Sequence, residues 1–351
     1  MKQGQTKPLE DVCNVEYGTR VVQKRDGGKG FPVYGGGGAT FEMDGFNRED
    51  RLVIARFGMS EECTRFVAGK FYLNDSGLTV SPKNGAMHQR FLDYQILALN
   101  DDIYALGKGT AQKNLDVPVF RTLPLFVPES LAEQQRIVGL LDEAFEGLAT
   151  AKANAEKNLQ NASALFESHL QSVFTQRGPG WVETTIGDQL TLQRGFDITK
   201  GQQNTGEVPV VSSGGIKSYH DKAMAKGPGV VIGRKGTLGK VFYLESDYWP
   251  HDTTLWVKDF KGNSPRFVYY LFAGLDVKKL DSGAANPALN RNQVHPIEVT
   301  WPHVAKQKAL VETLDSLEEQ TQRLDRIYER KVAALEALKK SLLHQAFTGA
   351  L

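Results

Sequence analysis

The sequence predicts an α+β chain in which two mostly-β globules are joined by two long antiparallel helices forming a coiled coil, the second half repeating the first about a pseudo-two-fold axis. Three observations lead there. The first is an internal repeat: LEDVCNVEYG at 9–18 recurs in pattern as IGDQLTLQRG at 186–195, and FPVYGGGG at 31–38 as VPVVSSGG at 208–215. IARFG at 54–58 returns as IGRKG at 232–236, GTAQKNLD at 109–116 as GAANPALN at 283–290, and ALFESHLQSVFT at 164–175 as ALKKSLLHQAFT at 337–348. Five matches in one order, offset by 173 to 178 residues, describe a duplication. The second is where glycine and proline fall: 130–175 holds no Pro and only Gly139 and Gly147, and 303–348 holds neither. The third is a four-and-three apolar spacing inside those two stretches.

The elements follow in order. Residues 1–127 read as the first globule, where short runs such as Leu52-Val53-Ile54-Ala55 lie between Gly, Pro, Asn and Asp. Residues 128–177 read as the first long helix. Ser130 is its predicted cap, with Glu133 reaching back to complete a capping box, and Gly178-Pro179 its predicted stop. Residues 178–301 read as the second globule, with Val230-Val231-Ile232 and Thr254-Leu255-Trp256-Val257 as strands, and 302–351 as the second long helix. A helix of that length spans roughly 70 Å and needs a partner.

The heptads supply one. The second helix places Leu310, Leu314, Leu317, Thr321, Leu324, Tyr328, Lys331, Leu335, Leu338 and Leu342 on one seam; the first places Ile137, Leu141, Ala144, Leu148, Ala151, Ala155, Asn158, Ala162, Leu165 and His169. Antiparallel pairing with position numbers summing to 479 sets Ala144, Ala151, Ala155 and Ala162 against Leu335, Tyr328, Leu324 and Leu317, small against large at each layer. Asn158/Thr321 and Leu148/Lys331 would be polar layers that penalise slipped registers. The other reading has each stripe packing on its own globule. An antiparallel pair would let the two globules address one side of a long duplex at sites about one helical turn, roughly 34 Å, apart.

The order of elements, with LPLFVPESLAEQQRIVGLLDE after the first globule, GRKGTLGKV and ANPALNRNQV in the second and LLHQAFTGAL at the end, resembles the specificity (S) subunit of Type I restriction-modification systems. The resemblance covers the whole chain. It implies two target recognition domains, each reading one half of a bipartite, asymmetric site on double-stranded DNA, with the helices fixing the spacer and docking two methyltransferase (modification) subunits. It implies no active site and no cofactor here: S-adenosylmethionine, ATP and Mg belong to the methyltransferase and restriction/translocase partners. His303-Val-Ala-Lys-Gln-Lys replaces the LAEQQR wording in the second copy, which predicts a differently capped helix. A specificity portion of a related single-complex restriction-modification enzyme is a further reading; a coiled-coil adaptor presenting two β modules to protein or glycan ligands is the reading from another class.

The chemistry inventory points the same way. There is no GxxxxGK[ST] loop, no HExxH and no Asn-Pro-Pro-Tyr type motif, since Asn286-Pro287-Ala288-Leu289 lacks the second proline and the aromatic. The seven His are scattered and form no metal set, and Gly35–Gly38 reads as a flexible turn. Cys13 and Cys63 are too few for a disulfide framework. The N-terminal stretch has no apolar signal core, no run is long enough to span a membrane, and a reducing cytoplasm is the expected compartment.

A net charge of +1 excludes a globally basic coat, so any DNA contact uses local clusters. Residues 1–125 carry 16 basic and 15 acidic groups, and 178–300 carry 14 and 12. The clusters are Arg20, Lys24, Arg25, Lys29 and Arg56 in the first globule, and Arg194, Arg234, Lys235, Thr237, Asn290, Arg291 and Asn292 in the second, with Ser213 beside them. Arg reads guanine and Asn adenine bidentately, while Lys, Thr and backbone N–H groups mostly hold phosphate. Each is equally readable as a solvated surface group. Tyr34, Phe196 and Tyr219 could stack on a displaced base or pack the globule.

Overall fold

The computed structural model describes residues 4–85, 87–175, 179–275 and 288–348. Gly178 and the Asn286-Pro287 pair lie outside the described residues. The chain divides into two compact units, Met1–Ala155 with Arg330–Leu351, and Glu156–Glu329. Each contains one globule and one end of each long helix.

In the first unit a six-stranded sheet runs in the order Cys13–Tyr17, Gly77–Pro82, Arg48–Ala55, Thr64–Leu73, Phe31–Tyr34, Ala39–Met43. All pairings are antiparallel except Phe31–Tyr34 with Thr64–Leu73. Gly4–Pro8 pairs with Pro124–Pro128, so the globule's first and last strands lie together just before the long helix starts. The second unit repeats the plan: Trp181–Thr185 pairs with Glu298–Pro302, and Val208–Ser212 runs parallel to Trp249–Pro250. Its sheet is split into four strands (Thr191–Arg194, Thr254–Asp259, Gly229–Gly233, Val241–Leu244) and three (Gly215–His220, Val208–Ser212, Trp249–Pro250). The cause is local. The stretch equivalent to the ten-residue strand Thr64–Leu73 is interrupted at Glu245-Ser246-Asp247, whose Asp247 bonds the Gly227 N–H and Lys226.

The long helices are Leu131–Phe174 and Val304–Thr348. Their ends are built into the globule cores. Ile137, Leu141, Leu343 and Ala346 join Phe91, Leu92 and Ile96 of the short helix Gln89–Ala98, with the Phe91 and Phe347 rings 5.3 Å apart. In the second unit Leu170, Val173 and Leu314 meet Tyr270 of Pro265–Gly274, and Phe174 lies 5.6 Å from Phe267. Both packings foreseen for the stripes are therefore present, helix on globule and, through the Lys152–Glu336 ion pair at 2.6 Å, helix beside helix.

The seam departs from the heptad. The inward stripe of the first helix, Ile137, Leu141, Ala144, Leu148, Ala151, Ala155, Leu159, Ala162, Phe166, Leu170, Val173, advances 36 residues in ten steps. That is the 3.6-residue turn of a straight helix, which drifts ~20° per heptad from a 3.5 repeat. Asn158, Leu165 and His169 consequently turn outward, Leu165 to 67% exposure. In the second helix Leu317, Tyr328 and Leu335 stay half-buried, whereas Leu324 and Leu338 face solvent at 42% and 47% and Val332 replaces Lys331. With Asn158 and Lys331 both exposed, neither polar layer forms. The register differs too: pairing to 479 sets Phe145 opposite Ala334, but Lys339 covers the Phe145 ring at 5.2 Å. Leu343 and Ala346 are anchored in the globule core beside Ile137 and Leu141, which ties the two rods to the globule at this end.

The helix starts also differ from expectation. Ser130 Oγ accepts from the Glu133 N–H at 3.2 Å, but the Glu133 carboxylate bonds Arg136 at 2.8 and 2.9 Å instead of closing a capping box. An ion pair one turn on outcompetes a neutral amide for a carboxylate. What the two starts share is a buried glutamine. Gln134 Oε1 accepts from the His88 N–H at 2.7 Å and Gln307 Oε1 from the Ser264 N–H at 2.9 Å, so each long helix caps the short helix it packs on. No described helix is long and apolar enough to cross a membrane.

Candidate nucleic-acid interface

In both globules a strand whose last residues are apolar and buried, Arg48–Ala55 or Gly229–Gly233, emerges at a basic turn, Arg56-Phe57-Gly58 or Arg234-Lys235-Gly236. The turn needs glycine at its third place, where Gly58 and Gly236 have φ of 62° and 79° in the left-handed region. Four backbone bonds hold the first turn: Arg56 N and Phe57 N to Ser76 O at 2.9 and 3.3 Å, Leu115 N to Arg56 O at 2.9 Å, and Gly18 N to Gly77 O at 3.1 Å. The second repeats them: Arg234 N and Lys235 N to Thr253 O at 2.9 and 3.1 Å, Leu289 N to Arg234 O at 2.9 Å, and Gly195 N to Thr254 O at 3.0 Å. Gly18 and Gly195 permit this closeness, since a Cβ there would lie 1.9 Å from Asn74 O or 2.1 Å from His251 O.

Side chains repeat at the centre and diverge at the edge. Arg56 Nη1 donates to Asp75 O at 3.3 Å and Arg234 Nη1 to Asp252 O at 3.3 Å. The Arg56 guanidinium lies 5.0 Å above the Tyr17 ring and 4.4 Å above the Phe57 ring. At those two places the second globule has Arg194, bonded to Asp252 at 2.7 Å, and the exposed Lys235. Burial, then the Arg194 charge, holds the Arg234 guanidinium below its ordinary pKa.

Of the other sequence-predicted residues, Arg20, Lys24, Lys29, Thr237, Arg291 and Asn292 are exposed and Ser213 is buried, its N–H donating to Thr253 Oγ1 at 3.3 Å. Arg25 lies on the short helix Gln23–Asp26 with its guanidinium engaged by Asp26 at 2.8 and 2.9 Å. Tyr34 packs edge-on to Phe71 at 5.6 Å, and Phe196 lies 6.3 Å from both Trp249 and Trp256, so both are partly buried rings packed against their globule's core; Tyr219 remains 54% exposed. Asn290 spends its carbonyl oxygen on the Asn292 N–H at 3.0 Å as the cap of Arg291–Val294. Tyr17, Phe57 and Asp252 are the contributors the sequence reading missed; the offset of 177 to 178 that pairs them with Arg194, Lys235 and Asp75 was the available signal.

One histidine, His251, is brought beside two carboxylates that lie apart in sequence or adjacent to it. Asp197, His251 and Asp252 have ligand atoms within 4.8 Å of one another. Folding joins residues 54 apart that no spacing rule connects. The Arg194 guanidinium already sits on Asp252, and His251 Nδ1 lies 3.0 Å from Thr253 Oγ1.

A globule built twice, with a framed arginine at the same turn and different neighbours around it, defines a class of duplicated recognition modules rather than a catalytic cleft. The chain matches the family model described as "Type I restriction modification DNA specificity domain" over residues 1–159 and again over 179–330, and it belongs to that family. It is a DNA-recognition subunit and not an enzyme. Among solved structures, one described as "Structural basis underlying complex assembly and conformational transition of the type I R-M system" is similar with a TM-score of 0.79 at 14% identity, covering 99% of this chain and 98% of that one. The HsdS subunit from Thermoanaerobacter tengcongensis is similar at 0.56 and 15%, covering 99% and 97%. At these identities the likeness is one of fold.

Proposed function

We propose that the chain reads a bipartite, asymmetric target on double-stranded DNA, each globule taking one half-site and the helix pair setting the spacer. In this reading it works in the cytoplasm, docks methyltransferase subunits that bring S-adenosylmethionine for adenine methylation, and joins restriction subunits that bring ATP and Mg; it holds no cofactor itself. The observation that carries the reading is the turn built twice on one backbone frame with Tyr17 and Phe57 in one copy where Arg194 and Lys235 stand in the other. Equal frames place two readers alike on a duplex, and unequal edges give them different words.

Mapping methylated adenines in DNA from cells expressing this chain with its cognate methyltransferase tests it. The expected result is methylation at an interrupted motif with two unlike halves and a constant gap. Methylation confined to one uninterrupted word would refute the bipartite reading.

A further inference from the structure

Among the described residues, Arg56 and Arg234 are the one pair of candidate contacts that keeps both residue type and tether across the duplication, each donating at 3.3 Å to the carbonyl of an aspartate at equivalent turns. Their neighbours do not keep type. The Arg56 guanidinium is stacked on Tyr17 and Phe57; Arg234 stands with Arg194 and Lys235. A side chain held the same way in two readers of different words carries neither word. It meets what every duplex shares, the phosphate backbone, while word-specific contacts come from positions that differ.

The fixed orientation agrees with that role. One guanidinium nitrogen of each is tied to protein, so the donors that remain present a set direction to an anionic oxygen without a large ordering cost on binding. In the first module the two rings supply the fixing; in the second, partial burial does.

We propose that Arg56 and Arg234 are positioning residues that grip DNA phosphate equivalently in the two modules, and that the pairs Tyr17/Arg194 and Phe57/Lys235 carry the difference between half-sites. This rests on the bipartite reading above and takes Arg56 and Arg234 as phosphate contacts, where the residue type alone also allows a guanine contact.

The test uses the full chain assembled with its methyltransferase subunits and a pool of duplexes of random sequence. The bound fraction is sequenced, and affinity for the selected duplex is followed against salt. Arg56→Ala and Arg234→Ala are each expected to weaken binding about tenfold, to lower the slope of log K against log salt by about 1, and to leave both words unchanged. Phe57→Ala and Lys235→Ala are expected to alter the word of their own half only. A word changed at one position by Arg56→Ala or Arg234→Ala, an unchanged salt slope, or words untouched by both Phe57→Ala and Lys235→Ala overturns the proposal. If the alanine variants unfold, Arg56→Lys and Arg234→Lys decide: they keep the phosphate charge and should keep both words, and loss of either word counts against the assignment. A wild-type pool with a single uninterrupted word fails the bipartite reading instead, and the arginine assignment then stands or falls on the salt slope.

Discussion

The first and second modules fasten their short helix to the long helix at the same place with different amounts of charge. In the first, Arg90 donates to Tyr94 and to Asp142, both at 3.1 Å, and the Tyr94 hydroxyl donates to Asp142. In the second, Arg266 bonds Asp315 at 2.7 Å, Glu318 at 2.5 Å and Tyr270 at 3.0 Å, and Tyr270 reaches both carboxylates. Where the second has Tyr269, bonded to Glu318, the first has Asp93, a buried carboxyl held by Gln89 at 2.8 Å. Beside Asp93 lies a cavity of about 440 Å³ lined in part by Phe66, Tyr94 and Phe145; at the equivalent place in the second module the Tyr243 and Tyr269 rings lie 5.9 Å apart. One backbone plan thus accepts either a filled, doubly charged junction or an open, singly charged one. What the plan fixes is the arginine and tyrosine four residues apart on the short helix and an acid on the long one.

The sharpest way to break this symmetry is through the phenylalanines that both modules bury completely. Phe91→Ala and Phe267→Ala should each cost about 3–5 kcal/mol in denaturant unfolding, and a cost confined to one would show that the two junctions are not equivalent. Arg266→Met leaves Glu318, the less exposed of its two acids, without its countercharge, and about 2 kcal/mol is expected. Arg90→Met should lose only about 1 kcal/mol, because Asp142 is half open to water. Equal losses would erase the distinction between the junctions.

Asp93 gives the comparison a pH axis. Burial pushes its carboxyl up to about 6, against roughly 3.9 in an unfolded chain, while Gln89, Arg51 and Arg90 pull the other way. The folded state therefore holds the proton more tightly, so the contribution is complete below pH 4 and is lost as pH rises through 6. Unfolding measured from pH 4 to 7 should show about 2 kcal/mol of stability lost from this group, and Asp93→Asn should remove that slope. A slope unchanged in the variant would assign it elsewhere. The smallest effect belongs to Lys152→Ala, which breaks the exposed pair with Glu336 and should cost less than about 1 kcal/mol.

Much of the fold was legible in the residues. The repeated IARFG and IGRKG phrases located the two turns and their arginines, and the absence of proline located both rods, because strand runs, turns and helices report themselves through neighbours in the chain. The stripe was legible only in its first half, since a 3.5 repeat and a 3.6 turn part company after a few heptads. Gln134 and Gln307 repeat at 173 residues and Arg90 and Arg266 at 176, yet nothing in either spacing says that a glutamine caps a helix 46 residues away in the first module or 43 in the second.

By itself the sequence determined the duplication, the two kinds of segment in each copy and the arginine at each turn, all of which rest on local pattern and on comparing one stretch with another. Only the tertiary structure decided the slide of the rods, the Arg-Tyr-acid junctions and the meeting of Asp197, His251 and Asp252. Those depend on which distant side chains reach one another once the cores close, and contacts between remote segments are set by packing the whole unit rather than by any spacing along the chain.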